Sequence, residues 1–414
     1  MHLHKLGSVV AMVTAFGAFG VCCSAQAFED TRVMPAHIRR LTLRVVTTSI
    51  ADKTSSNGSN VGLANPLEKN LTYRDIIKGE KDPVKKSLTA GFIDYQKADR
   101  GQAIGTFRGD IKTRVTVFAP VFTYGLTDRV TLAAALPIYN MATSVGLGFQ
   151  ANQNGQNFLG LLANNTNNQT ASAREAAEKI NNAVGRLNDK LQDNGYRRLN
   201  NWQATGLGDL QILGKGLLSD ADFLRVAMTG GVVAPTGRID DPDNLLDKGF
   251  GDGQWDLFAK AALDQPLADT GLTVNEYASY VLQLPGQKTV RLVTEDETIE
   301  VDKRRVAYKL GDKIEAGTSL QYASTSGFST GAGYNYHFKF TDIYKAGASS
   351  KILQRDTLES SHEAELELAY STVPAFQRKQ IAVPMETKLS YKRQLASRNM
   401  PVTHFIQLDT GIFF

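Results

Sequence analysis

The sequence predicts an all-β protein, a transmembrane antiparallel β-barrel of about twelve strands. Three features predict this fold class: segments in which apolar and polar residues alternate, charges that recur on the polar faces of these segments, and connections that are alternately long and short. Alternation with a period of two indicates a strand, because successive side chains of a strand point to opposite faces of its sheet.

The alternation recurs in twelve segments along the chain. The last segment, residues 402–414, carries apolar side chains on one face and Gln407 and Asp409 on the other. Its apolar face is predicted to meet lipid, and these two polar residues are predicted to face a lumen. The predicted strands lie near residues 38–48, 108–124, 128–141, 206–218, 221–235, 253–264, 270–284, 312–323, 328–342, 362–373, 382–395 and 402–414.

Charged residues distinguish this pattern from that of a soluble β-sandwich, which also alternates. Unpaired charges in a dry core cost several kcal/mol, whereas the water-filled lumen of a barrel accepts them. The polar faces are therefore predicted to line a lumen, where their charges either set its selectivity or pair and fill the space. The candidates for this lining are Arg40, Arg44, Lys112, Arg114, Arg225, Lys260, Glu315, Lys339, Glu363, Glu365, Glu367, Glu386, Lys388 and Lys392.

The connections between the predicted strands support a barrel of the outer-membrane type. Every second link, beginning with residues 125–127, is short, and the links between them are mostly long. Short turns on one side and long loops on the other are typical of outer-membrane barrels. The sequence therefore predicts one barrel domain over residues 28–414.

Two of the long outer loops are insertions, residues 49–107 and 142–205. The first is predicted to contain a short helix around Pro83–Tyr95. The second is predicted to contain a helix near 171–192, because its apolar residues recur on one helical stripe. This helix either closes the mouth of the barrel as a lid or covers an outer loop, and the sequence leaves both interpretations open.

Residues 1–27 have the features of a secretory signal peptide: a basic start at Lys5, an apolar stretch, and small residues before an expected cleavage near Ala27. The sequence therefore predicts the outer membrane of a Gram-negative bacterium as the location. The whole chain has a net charge of +4, and loss of Lys5 with the signal leaves +4 − 1 = +3. Such a near-balance argues against a nucleic-acid partner.

No motif in the sequence predicts catalysis, a cofactor or a metal site. The four histidines after the signal segment, His37, His337, His362 and His404, are isolated in the sequence, and such histidines are more often lumen or interface residues than catalytic ones, so we predict that the protein is not an enzyme. Asp241, Asp243 and Asp247 lie close together in an acidic stretch between two predicted strands. They could bind Ca²⁺, which prefers clustered oxygen ligands, or form a solvated acidic loop, and the loop is the favoured interpretation.

Several short motifs resemble those of a known family. They are Gly125-Leu126-Thr127-Asp128, Pro137, Gly206-Leu207-Gly208-Asp209 and Pro235-Thr236-Gly237. They are similar to the motifs of the outer-membrane transporters linked with the meta-pathway of phenol degradation, which are relatives of the fatty-acid porins. The residues themselves are typical of turns. The resemblance implies diffusion of small, often hydrophobic or aromatic molecules across the outer membrane.

The function expected from these features is that of a passive outer-membrane channel or transporter for small, possibly hydrophobic or aromatic molecules. The alternative is a surface barrel that transports nothing and presents its loops for adhesion or partner binding. The expected partners are outer-membrane lipid, a small-molecule solute and the barrel assembly machinery. Phe414, an aromatic residue at the end of the last strand, resembles the signal that this machinery recognises.

Overall fold

The computed structural model describes residues 30–79, 82–96, 98–164, 175, 178, 182–292 and 302–414. The predicted signal segment 1–27 lies outside these residues, as does most of the first half of the helix predicted near 171–192.

Twelve antiparallel strands form a closed barrel, as predicted. The first strand pairs with both the second and the twelfth, so the sheet has no free edge and its backbone polar groups are satisfied within the wall. The strands are β1 Arg39–Ile50, β2 Ala103–Thr127, β3 Val130–Ala135 and Ile138–Ala151, β4 Trp202–Leu207 and Leu210–Ala221, β5 Leu224–Ala234, β6 Asp256–Pro266, β7 Leu272–Gln283, β8 Lys313–Ala323, β9 Phe328–Lys339, β10 Glu359–Ser371, β11 Met385–Arg398 and β12 His404–Phe413.

Strands β3 and β4 are each interrupted once, and the two interruptions are neighbours. In β3 the gap falls at Leu136-Pro137, and in β4 it falls at Gly208-Asp209. Proline has no N–H group to donate to a ladder, which explains the break in β3. The Gly208 N–H donates to the Pro137 carbonyl at 2.8 Å, so the two breaks are joined and the wall stays closed.

The outer face of the barrel wall is apolar, as lipid requires. The neighbours Val117 and Phe118 show the division: Val117 is 1% exposed inside the barrel, and Phe118 is 42% exposed outside it. Large apolar side chains on other strands, including Leu41, Leu366 and Leu408, are likewise exposed. In the described ranges no helix is long and apolar enough to cross a membrane.

The prediction that Lys112 and Arg114 line the lumen is wrong. Both residues are exposed and have the same parity along β2 as the outward-facing Phe118. The physical reason is the length of β2. Its 25 residues span about 80 Å at 3.3 Å per residue, far more than the 9–11 residues that cross a bilayer. Its first part therefore extends beyond the membrane, where outward side chains meet water.

The connections sort by length as predicted, which defines two ends of the barrel. The turn end carries the links 128–129, 222–223, 267–271, 324–327 and 372–384. The loop end carries the long insertions. The helices are α1 Tyr73–Gly79, α2 Pro83–Tyr95, α3 Gln153–Asn164, α4 Ala183–Asp193, α5 Ser350–Gln354 and α6 Val373–Gln377, of which the last lies at the turn end.

The helix predicted around Pro83–Tyr95 is confirmed as α2. It begins at Pro83, and the Asp82 side chain caps it by accepting from the N–H groups of Val84 and Lys85. The helix predicted near 171–192 is described from Ala183, where α4 begins. Leu187 and Leu191 of α4 are buried in the largest apolar cluster at the loop end, so this part of the insertion is packed against the barrel.

Several short strands lie at the loop end, above the barrel. Gly286–Arg291, Lys303–Lys309 and Ile343–Lys345 form a three-stranded sheet. Asp52–Thr54 pairs with Asn60–Gly62, and Lys69–Thr72 pairs with β2. We use "cap" for the three-stranded sheet, α4 and α5, whose apolar residues share one cluster with Leu245 and Leu246 of the loop 235–255.

Cysteine labelling tests the orientation of β2. The two cysteines of the chain, Cys22 and Cys23, lie in the predicted signal segment, so a single engineered cysteine can be labelled selectively. In Lys112→Cys a bulky, membrane-impermeant maleimide should react with intact cells, because the side chain faces water outside the barrel. The control is Thr113→Cys at the next position of β2. Its side chain points inward and is buried, so this variant should stay unlabelled. Equal labelling of both variants would contradict this orientation.

Candidate functional site

The barrel encloses a cavity of about 580 Å³. It reaches from the turn end, where Met34, Ser324 and Phe413 line it, to the level of Phe250 under the cap. Residues of all twelve strands line it, so its shape and polarity follow from the inward faces of the whole wall.

One side of the lumen, formed by β8 to β12 and β1, is charged, and we call it the ion-paired wall. Most of its carboxylates and cations lie on neighbouring strands and pair across them; Arg40 of β1 reaches Glu386 of β11, and Lys339 also pairs with Asp342 in the loop after β9. Burial of a charge is tolerable only when an opposite charge and hydrogen bonds compensate it. The pairs are Arg40–Glu386 at 2.9 Å, Arg44–Asp409 at 2.7 Å, Lys388–Glu367 at 3.4 Å, Lys392–Glu365 at 3.4 Å, Lys339–Asp342 at 2.7 Å and Lys339–Glu359 at 3.5 Å.

Arg44 and Asp409 form the most deeply buried of these pairs, with side chains that are 1% and 4% exposed. Two hydrogen bonds join them, from Arg44 Nε and Nη2 to the two carboxylate oxygens at 2.9 and 2.7 Å. Gln407 also donates to Asp409, at 3.0 Å. This bidentate geometry is the strong form of a carboxylate–guanidinium contact, and it spans the seam between β1 and β12.

His337 joins two of the predicted carboxylates. Its Nδ1 lies 3.4 Å from Glu315, and its Nε2 lies 3.4 Å from Glu363. Two residues further toward the turn end of β9, Asn335 donates to Glu365 at 2.9 Å and accepts from the Tyr277 hydroxyl at 3.0 Å. The inward glutamates of β10, Glu363, Glu365 and Glu367, are therefore contacted by polar or cationic side chains of β9 on one side and of β11 on the other.

The opposite side of the lumen, formed mainly by β2 to β6, mixes apolar and polar side chains, since three threonines, Gln211, Lys215, Asp256 and Lys260 also line it. We call its apolar part the apolar wall. Its inward side chains are small or medium hydrophobes and aromatic rings. Those that line the cavity include Val121, Ala133, Tyr139, Leu213, Val233 and Phe258. The lumen thus has one ion-paired wall and one apolar wall, which the expectation of a polar inner face on every strand did not include.

The remaining predicted residues lie at different heights. Lys260 lines the cavity, and its ammonium group lies 5.6 Å from the ring centre of Tyr277. Arg225 lies at the turn end, where it pairs with Asp220 at 3.0 Å and both side chains are about half exposed. Phe414 lies outside the lumen with 60% of its surface exposed, and its backbone pairs with Arg39. The selectivity and assembly roles of these residues remain predictions.

A segment preceding β1 closes the turn end of the cavity. Thr31 donates from its N–H and its hydroxyl group to Asp264 Oδ2, at 2.9 and 2.6 Å. Asp30 lies against Lys215 and Arg32, and both Asp30 and Thr31 are almost fully buried. Residues 30–35 therefore occupy the lumen. Sequence reasoning missed this segment.

The Gly-Leu-x-Asp motif fixes this segment where it enters the barrel. Gly125 exchanges backbone hydrogen bonds with the segment at His37 and Ile38, at 2.8 and 2.9 Å. A Cβ atom on Gly125 would lie 1.9 Å from the Pro35 carbonyl oxygen, so only glycine fits. Asp128 accepts from the Ala36 N–H at 2.9 Å. The motif therefore docks the segment in addition to making a turn.

The loop end of the cavity is closed by Phe250, in the loop between β5 and β6. Its ring stacks on Tyr139 of β3, with centres 5.5 Å apart and planes 2° from parallel. The Arg238 guanidinium lies 4.7 Å from the centre of the Phe250 ring. Two motif glycines leave space for this stack, since Cβ atoms on Gly206 and Gly208 would lie 2.9 Å from Phe250 and 2.5 Å from Tyr139.

The Pro-Thr-Gly motif bridges the break in β4. Thr236 donates to the Gly208 carbonyl at 3.0 Å and accepts from the Leu210 N–H at 2.9 Å. The Gly237 N–H donates to Asp209 Oδ1 at 2.8 Å. The motif residues at the break in β4 and after β5 thus bind each other. Together they hold the glycines against which Phe250 packs.

The acidic stretch between β5 and β6 does not form the Ca²⁺ site that was considered, because the protein's own cations occupy its carboxylates. Asp241 pairs with Arg197 at 2.8 Å, and Asp247 pairs with Arg238 through two hydrogen bonds. Asp243 binds Arg291 at 2.6 Å and Lys303 at 2.7 Å. Within the described residues no group of three potential metal ligands is close enough to hold a metal ion.

These ion pairs attach the cap to the loop. Partial burial acts to raise the pKa of Asp243, but hydrogen bonds from Lys303 and Arg291 prevail and hold this pKa below its usual value. Arg291 also stacks on Tyr196, with its guanidinium carbon 3.7 Å from the ring centre, and donates to the carbonyl groups of Asn194 and Gly195. The favoured interpretation of a solvated acidic loop is therefore replaced by an ion-paired anchor.

No family model and no curated protein matches the sequence. Among solved structures, the chain is similar to the COG4313 outer membrane channel from Pseudomonas putida F1, with a TM-score of 0.52 and 12% identity over 93% of this chain and 98% of that chain. The toluene transporter TbuX from Ralstonia pickettii gives a TM-score of 0.33 and 11% identity over 97% of this chain and 98% of that chain. The toluene transporter TodX from Pseudomonas putida gives a TM-score of 0.32 and 10% identity over 92% of this chain and 89% of that chain.

At this identity the first similarity shows a shared fold, and the other two, with TM-scores below 0.5, add nothing to it. The fold is that of a transmembrane β-barrel of the outer-membrane type. The resemblance to outer-membrane transporters that the sequence suggested is confirmed as a resemblance of fold, to an outer membrane channel.

The buried Arg44–Asp409 pair predicts that removing one partner destabilises the protein far more than removing both. Arg44→Met leaves Asp409 buried without its cation and should lower the free energy of unfolding in detergent by about 3–5 kcal/mol, measured by guanidinium titration. The double variant Arg44→Met, Asp409→Leu should recover most of this loss, because neither charge remains. Lys112→Gln, which breaks the exposed Lys112–Asp110 pair, should cause no measurable change. A double variant as unstable as the single one would contradict the assignment of the loss to the unpaired charge.

Proposed function

We propose that this protein is a passive outer-membrane channel for small molecules that are apolar or carry few polar groups. The observation that carries the proposal is the cavity of about 580 Å³, bounded by an apolar wall on one side and an ion-paired wall on the other. The fold shared with an outer membrane channel supports the location and the class.

The polarity of the two walls supports this class of solute. The charges of the ion-paired wall are largely engaged with each other across β8 to β12 and β1, so a hydrated ion gains little from them. The apolar wall, by contrast, offers an apolar solute removal from water, worth about 25 cal/mol per Å² of buried apolar surface. Such a lining favours ring-shaped or short aliphatic molecules over sugars and salts.

Passage requires that both ends of the cavity open. Residues 30–35 occupy the turn end and Phe250 closes the loop end, so the described conformation is the closed one. At the turn end the contact that can be released is the pair of hydrogen bonds from Thr31 to Asp264. Asp264 also accepts from Asn275 at 2.7 Å, and this bond keeps the carboxylate in place when the segment leaves.

Planar-bilayer conductance of the purified protein, together with solute uptake by proteoliposomes, tests the proposal. We expect small single-channel steps from the intact chain. Absence of steps and of uptake, in the intact protein and in a variant lacking residues 30–35, would contradict transport and would favour the alternative of a surface barrel that presents its loops.

Asp264→Ala should raise the single-channel conductance, because Thr31 loses both acceptor contacts and the start of the segment is held more weakly, by Lys215. The step size should lie between those of the intact protein and of the variant lacking residues 30–35. Asp220→Ala is the matched control: it removes a carboxylate at the same end of the barrel, from an exposed pair with Arg225, and should leave the conductance unchanged. A conductance of Asp264→Ala equal to that of the intact protein would show that this contact does not hold the segment.

A further inference from the structure

Three basic side chains lie on the outer face of the barrel, toward the loop end of the four strands around the seam, β11, β12, β1 and β2. They are Arg393 of β11, His404 of β12 and Arg114 of β2, and all three are exposed. Arg393 and His404 are opposite each other in the ladder, and Arg114 is opposite Ser49 of β1. We call these three residues the basic row.

Each member of the basic row lies four residues beyond an apolar residue that faces lipid. These apolar residues are Leu389, Leu408 and Phe118, and all are exposed. They belong to one row of the ladder, because Leu389 pairs with Leu408 and Val45 of β1 joins Leu408 to Phe118. Four residues of a strand span about 13 Å. The basic row therefore lies beyond the apolar band on the side of the long loops.

The position of the basic row matches the phosphate layer of the membrane. The long loops of an outer-membrane barrel face the cell exterior, so the side chains just beyond the apolar band meet the headgroups of the outer leaflet. That leaflet consists of lipopolysaccharide, whose lipid A part carries two phosphate groups on a disaccharide. Arginine suits such a partner, because its planar fork of N–H groups matches the oxygens of a phosphate.

The protein itself does not neutralise the arginines of the basic row. Within the part of the chain that the structure describes, the side chains of Arg114 and Arg393 make no hydrogen bond and no ion pair. Lys112, the next outward residue of β2, pairs with Asp110 at 2.9 Å. Asp110 is the one carboxylate on the outward faces of the four seam strands, all of which are fully described. Both arginines therefore keep their charge available for an anion.

The positive charge is confined to one side of the barrel. The strands β6 to β9, which are described over their whole length, carry no basic residue on their outward faces. The large exposed side chains at their loop ends include Trp255 just before β6, Tyr280 of β7 and Phe340 just after β9. A charge needed for solubility alone would not be restricted in this way. The restriction points to a molecule that binds at one place.

We propose that the basic row is a docking surface for lipid A, with phosphate groups on Arg114 and Arg393 and acyl chains on the apolar residues below them. The two arginines are on strands three positions apart, about 14 Å along the wall, so each can contact a separate phosphate of one molecule. This inference goes beyond the proposed channel function and requires the outer-membrane location alone.

Native mass spectrometry of the full-length protein, refolded into detergent free of lipopolysaccharide, tests the docking surface. The probes are lipid A with both phosphates and its monophosphoryl form, which differ by one phosphate group. The unsubstituted protein should bind one molecule of lipid A, about threefold more tightly than the monophosphoryl form, because one exposed charge pair is lost with the phosphate. Equal affinities would overturn the proposal.

Substitutions locate the binding. Arg114→Gln and Arg393→Gln should each weaken lipid A about threefold, and the double variant about tenfold. Arg225→Gln is the matched control: it removes an exposed arginine at the turn end, away from the outer leaflet, and should leave the affinity unchanged. Full affinity in the double variant, or an equal loss in Arg225→Gln, would overturn the assignment. The single variants carry the test if the double variant does not fold, as judged by heat-modifiable gel mobility.

Inorganic phosphate distinguishes a lipid surface from a site for the free ion. At millimolar concentration it should leave lipid A bound to the unsubstituted protein, because the acyl chains add buried apolar surface that the ion lacks. Complete displacement of lipid A by inorganic phosphate would overturn the lipid as the occupant of the basic row.

Discussion

Arg44 and Asp409 face each other across the seam where β1 meets β12, and both side chains are almost fully removed from solvent. The lumen of a twelve-stranded barrel is narrow, so inward charges that are buried in it are compensated by counter-charges on nearby strands. The same requirement applies along β10 and β11, where carboxylates alternate with apolar outward residues and lysines of the next strand lie beside them. Closure of the wall and neutralisation of its interior are thus achieved by the same pairs.

Across the lumen from the paired charges lies the apolar wall, beside polar side chains of the same strands. The strands β2 to β6 direct valines, alanines and aromatic rings inward, and the motif glycines of β4 and the β5–β6 loop let Phe250 approach Tyr139 closely. The cavity lies between these two surfaces. Its polarity is therefore a consequence of how charges are distributed around the barrel, and its length is set by the two pieces of chain that fill its ends.

Much of this could be predicted from the sequence, because period-two alternation and loop lengths are local signals. All twelve strands, their order and the helix around Pro83–Tyr95 follow from such signals, and they are confirmed. The faces of β2 could not be predicted in the same way. Lys112 and Arg114 alternate as lumen residues would, and only the length of the strand and its pairing show that they lie beyond the membrane.

The interior contacts had no local signal of that kind. The position of residues 30–35 depends on Asp264, more than two hundred residues away, and nothing in the segment itself marks it as a lumen occupant. The glycines at 125, 206 and 208 were the available clue. Turn chemistry explained them adequately, so the close contacts with Pro35, Phe250 and Tyr139 that make glycine necessary there became apparent only from the structure.

The seam also bears on how the chain reaches this fold. Arg44 and its partner Asp409 are 365 positions apart, so the cation supplied by the first strand stays unneutralised until the last strand is in place. Contacts of such separation form late, because the entropy of closing the intervening chain must be lost first. A barrel that lacks β12 therefore lacks the carboxylate that pairs with this guanidinium, at a cost in free energy. The pair thus favours the complete barrel over truncated or misregistered assemblies.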